Sequence, residues 1–159
     1  YEEVSRHCMS RQDDSEMKDD IIYLLFIALK EDKAAKTAAE KAVLDEIMHR
    51  SGFARSERNQ YYRMMSAWRK NFKISEDKIA EYISRLKDET DRYVDMTVGG
   101  GHRESYDRAA LRVVMLGEVL EDNGMENGLS EIIEGYRKTY WRKHAFTGEL
   151  SEAAKKSEV

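Results

Sequence analysis

Residues 98–105, "VGGGHRES", place three consecutive glycines ahead of a long helical pattern. Glycine amides at the foot of a helix can hold a phosphate, because the peptide dipoles leave that end positive. Gly99, Gly100 and Gly101 are the amide candidates, with Arg103 as counter-charge. The other parts of a phosphate site are missing. A P-loop follows its last glycine with Lys and then Ser or Thr, whereas His102 and Arg103 follow Gly101. A dinucleotide fold needs a strand before the glycines, and a helical pattern stands there instead. Glu104 and Asp107 would also bring negative charge into the first turn. Residues 97–102 are therefore expected to act as a hinge between two helical halves.

A second constellation could bind nucleic acid. Between residues 50 and 73, Arg50, Arg55, Arg58, Arg63, Arg69, Lys70 and Lys73 face the single acid Glu57, with Tyr61, Tyr62 and Trp68 among them. Interleaved aromatics and cations can stack bases and hold phosphates. Helical phase separates the two sets. Tyr61, Met64, Met65, Trp68 and Phe72 share one stripe, while Arg63, Lys70 and Lys73 face away from it. The aromatics read as core and the cations as a solvated back face. Tyr62 and Arg69 lie on the flank. The candidate nucleic-acid or partner surface is thus Arg55, Arg58, Tyr62, Arg63, Arg69, Lys70 and Lys73. A further basic–aromatic stretch, "GYRKTYWRKHAF", spans residues 135–146. Trp141 falls roughly 120° from the apolar stripe of its helix. Cover by the last helix is the simpler expectation, and exposure would make Trp141 a partner anchor.

Metal and enzymatic chemistry find little support. His7, His49, His102 and His144 are scattered, and the pair His7–Cys8 has no second pair to complete a zinc site. Glu118, Glu121 and Asp122 could present carboxylates together, but a charged outer face at a helix end explains them more simply. No nucleophile elbow, His-Glu-x-x-His or Walker motif occurs. No cofactor and no catalytic residue are expected.

The elements that must carry these residues are helices. The 159 residues contain no proline, where average usage would supply about 8. Proline breaks helix interiors, so its absence suits long helices joined by short turns. Hydrophobic residues make up 41% and charged residues 36%, with a net charge of −4; that balance opposes a dedicated nucleic-acid binder. The single Cys8 allows no internal disulfide and suits a reducing, cytoplasmic setting. The longest apolar run, residues 21–29, is far shorter than the roughly 20 residues of a membrane span. Acidic residues precede it, unlike a signal peptide. The chain begins at Tyr1 rather than Met, which reads as a piece of a longer protein.

Apolar periodicity predicts helices over about 14–32, 34–50, 56–71, 75–94, 103–123, 126–143 and 145–156, after an irregular stretch 1–14. The first, apolar on nearly every side, is expected at the centre. Ser75 is expected to cap the fourth, with Ile74 and Ile79 as a hydrophobic staple. Gly52 and Gly124 are expected to close helices in left-handed conformation. Strand-like alternation is absent. The expected class is all-α, one domain of six to seven antiparallel helices, as a hairpin array or a compact bundle. Leu116, Gly117 and Leu120 match part of the tetratricopeptide pattern, although its Trp, Ala and Pro positions do not match.

Over residues 103–146 the chain also resembles the helical region that follows the zinc finger in some prokaryotic SWIM-type proteins. The features are Tyr106 to Ala110, the Leu-Gly-x-x-Leu segment Leu116 to Leu120, and the Tyr-Arg-Lys and Arg-Lys-His-Ala-Phe ending. The zinc motif itself is absent, so no metal role carries over. The resemblance implies a helical scaffold attached to something else. The expected function is a non-enzymatic interaction module whose partner is a protein or the rest of a longer chain. The alternative is a nucleic-acid-binding helical domain.

Overall fold

In the computed structural model, residues 11–30 and 37–157 are described, with side chains from residue 19 onward. His7, Cys8, the first ten residues and the expected start of the second helix lie outside them. The described residues form seven α-helices: α1 Arg11–Leu29, α2 Ala38–Arg50, α3 Arg58–Asn71, α4 Glu76–Val94, α5 Tyr106–Asp122, α6 Gly128–Thr139 and α7 His144–Lys155. No strand occurs among them. The class is all-α, as the periodicity predicts.

The central helix is α5, not α1. It packs against α1, α2, α4, α6 and α7, and every residue from Arg112 to Val119 is buried. In α1, Ile21 is half exposed and Leu24 and Leu25 are only partly buried. The apolar run of α1 made it look central, but size decides the matter. Ala109, Ala110 and Gly117 of α5 are small enough for neighbours to approach from several sides. At Gly117 a Cβ would lie 2.7 Å from the Leu129 Cα, closer than any real side chain allows. The α5–α6 hairpin is therefore built on the missing side chain of Gly117, and the Asn123–Asn127 turn starts with Gly124 at φ 93°.

Helix ends are tied locally and across the fold. Thr37 Oγ1 accepts the Glu40 amide at 3.1 Å and caps α2. The Ala39 amide donates to the Lys156 carbonyl at 3.1 Å, so the end of α7 meets the start of α2. Ser75 does occupy the N-cap of α4, but its hydroxyl makes no capping bond. Its carbonyl accepts the Lys78 amide at 2.9 Å instead. No described helix is long and apolar enough to cross a membrane.

Candidate functional site

Helix α3 lies at the periphery and packs chiefly on α2. Its apolar stripe has the predicted phase, yet only Tyr61 and Met65 are buried. Met64 and Phe72 are 47% and 46% exposed. Trp68 is half-buried and stacks on Phe72 at 4.9 Å. The expectation that all five form core is corrected: there are not enough neighbours around α3 to cover them. Phe72 then continues into a groove of about 270 Å³. The end of α1 (Ala28, Leu29, Lys30), the end of α3 (Arg69, Lys70), the Phe72–Ile74 turn, Ile79 of α4 and Asn123 line it.

The predicted basic surface does not converge. Arg58 is held by Asp45, with Nε to Oδ1 at 2.9 Å. Tyr62 donates to the same carboxylate at 2.8 Å. Burial, then that hydrogen bond, pushes its phenol up to about 12. Arg69 turns inward to Glu40 Oε1 at 2.6 Å and to the Lys30 carbonyl at 3.2 Å. These three serve the fold. Arg55 lines a separate groove beside Asp45, Glu46 and His49. Arg63, Lys70 and Lys73 remain exposed. Glu57, the one acid of the stretch, accepts the Ala54 amide at 2.7 Å and closes the turn before α3.

Several amides of the glycine loop are engaged by the loop's own carbonyls. Helix α4 widens into a π-helical turn at Asp95–Gly99. The Gly100 and Gly101 amides then donate to the Val98 carbonyl. His102 donates to Thr97 at 2.8 Å and Arg103 to Gly101 at 3.0 Å. Gly101 takes φ 80°, and a Cβ on Gly100 would meet the Met96 carbonyl at 2.4 Å. These glycines turn the chain sharply, and the amides of Gly100, Gly101 and Arg103 are engaged within the loop rather than aimed outward together. The loop joins α4 and α5, which pack on each other.

Trp141 is 61% exposed, with the Arg142 guanidinium 4.8 Å from its ring centroid. The simpler expectation of cover by α7 is overturned. Helix α6 stops at Thr139, so Trp141 sits in the turn and α7 leaves it open. Phe146 takes the covered position instead. Of the three carboxylates at the end of α5, two meet at Lys30 and the third turns to the α6 start, so they are not a charged outer face. Glu118 is buried, Asp122 lies 3.7 Å from Lys30, and Glu121 accepts the Leu129 amide at 3.1 Å. No group of three or more potential metal ligands occurs among the described residues.

Beneath the α3 groove lies a charge network that periodicity does not reveal. Lys30 ends α1 and pairs with Glu118 of α5, both buried. Glu118 also accepts from Thr37 at 3.1 Å and from Ser157. Beside it, Glu40 is fully buried against Arg69. Burial raises the Glu40 carboxyl above its ordinary range, Arg69 and then Lys30 pull it down, and Glu118 pushes it up again. A carboxyl raised on folding contributes stability below the unfolded value of 4.5 and loses it as pH rises through the folded value. Glu40→Gln removes this loss. Urea titrations of parent and variant should therefore move in the variant's favour as pH rises from 4.5 toward neutrality. Stability–pH curves that stay parallel over that window would contradict it.

Arg112 is the second residue missed. It is 2% exposed and lies between the rings of Tyr93 at 3.7 Å and Tyr23 at 4.9 Å, with Asp19 at 2.8 Å. The ring faces supply the negative potential that a buried guanidinium requires. One signal was available: Arg112 interrupts an apolar run from Ala109 to Leu116.

The comparisons add no relative to this geometry: no family model, no curated protein and no solved structure matches the chain.

Proposed function

We propose that the chain is a helical interaction module that presents the α3 edge and the adjoining groove to a protein partner. The observation that carries this reading is the row of exposed Met64, half-buried Trp68 and exposed Phe72 along and just past a helix otherwise anchored by Tyr61 and Met65. Apolar side chains in a contiguous exposed row mark contact surfaces more often than solitary ones do. A stacked aromatic pair is also a rigid anchor, which loses little side-chain freedom on binding. Trp141 offers a second anchor on another part of the surface.

The nucleic-acid reading has lost Arg58, Tyr62 and Arg69 to internal partners. Affinity for a duplex grows with the number of phosphates neutralised, and the remaining exposed cations on α3 are few. Site-specific photo-crosslinking separates the two readings. A photoreactive residue in place of Phe72, and another in place of exposed Lys138 as control, is activated in extract of the source cells. Protein adducts at position 72 and few at 138 support the module. Adducts made of nucleic acid, or the same adducts at both positions, would overturn it.

A further inference from the structure

We propose that the groove between the end of α1 and the α3–α4 turn docks an acidic amphipathic segment of a partner protein. This names the partner chemistry of the surface above and rests on that reading. Four cations line the groove, Lys30, Arg69, Lys70 and Lys73, and among its described residues there is no carboxylate. Lys30 and Arg69 are paired with acids behind the groove, so the local excess rests on Lys70 and Lys73. Two other grooves among the described residues differ. The one beside α6 and α7 carries Glu121 and Glu134, and the one beside α2 carries Asp45 and Glu46.

The four cations divide by depth. Lys30 and Arg69 are neutralised from behind by Glu118 and Glu40. Lys70 and Lys73 are exposed at the rim, and no described acid pairs with either. The floor is apolar, made by Leu29, Phe72, Ile74 and Ile79. A volume of about 270 Å³ lies below the roughly 300–1,000 Å³ of most small-molecule sites. It suits one or two inserted side chains, with carboxylates of the same segment on the lysine rim. Such a segment places two apolar anchors, at i and at i+3 or i+4 of a helix, with acids between and beside them. A nucleic acid would find only two exposed lysines to neutralise its phosphates at the rim.

The test uses a fluorescent helical peptide of about 14 residues with leucine at those anchor spacings and glutamate elsewhere. A second peptide carries lysine in place of glutamate, and a single-stranded oligonucleotide is the third probe. Anisotropy is read against the parent chain, Lys70→Glu with Lys73→Glu, and Phe72→Ser. All three positions are exposed, and circular dichroism verifies that the variants stay helical. The expected result is binding of the acidic peptide, weakened about tenfold or more by each variant, by added salt and by the change to lysine. No binding of the acidic peptide at about 1 mM, or equal binding by parent and variants, overturns the proposal. Tighter, lysine-dependent binding of the oligonucleotide overturns it too. If the peptide fails while position 72 still cross-links protein, the acidic chemistry falls and the module reading stands.

Discussion

Lys30→Met is expected to lower the unfolding free energy by about 3–5 kcal/mol, because it strands a buried carboxylate. The Lys30 side chain is 3% exposed and that of Glu118 is 6% exposed. After the change, Glu118 keeps the hydroxyls of Thr37 and Ser157 but has lost its close cation. Fully buried Glu40 also loses a cation that lowers its carboxyl. At roughly 2–4 °C per kcal/mol for a chain of this length, the midpoint should fall by about 6–20 °C. Desolvation sets the size of the effect, so removing both charges should cost far less than removing one. Lys30→Met with Glu118→Met is expected to recover most of the loss. Calorimetry on the parent, the single and the double variant checks this. A single variant within about 1 kcal/mol of the parent would show that water reaches Glu118.

Phe146→Ala is expected to cost about 3–5 kcal/mol, through lost burial and the cavity left behind. Phe146 is fully buried and meets Tyr106 and Tyr140 edge-on at 5.8 and 5.6 Å. It joins α7 to the start of α5 and the end of α6. Since α7 packs chiefly on α5, the loss should appear first as faster amide exchange across His144–Lys155. Trp141→Ala supplies the contrast, with an expected change within about 0.5 kcal/mol, because its ring is mostly in water. If α7 kept its protection in Phe146→Ala, the helix would be held by its other contacts, the Ala39–Lys156 hydrogen bond among them.

The positions of the helices, their buried faces and several of their ends were legible in the sequence. Tyr106, Ala109, Ala110, Val113 and Gly117 recur at helical spacing along α5 and all are buried. Ile133 and Tyr136 do the same in α6. Gly52 and Gly124 take the left-handed conformation expected of them. These features depend on residues within one or two turns of each other, so local spacing suffices to show them.

What only the tertiary structure decided is which apolar stripes are covered and which charges are internal. Met64 and Phe72 have the same periodic credentials as Tyr61 and Met65, but no described helix lies over them. Trp141 and Phe146 are five residues apart in one basic–aromatic stretch, and only one is buried. Glu118 and Lys30 are 88 residues apart, and Glu40 meets Arg69 across 29. The sequence alone determined an all-α chain with amphipathic helices and tight glycine turns. The docking of α1 and α2 on α5, with α3 carried by α2, determined the groove, its cationic rim and the buried network beneath it. The physical reason is range: a helix face is written by neighbouring residues, whereas its cover and counter-charges come from distant ones.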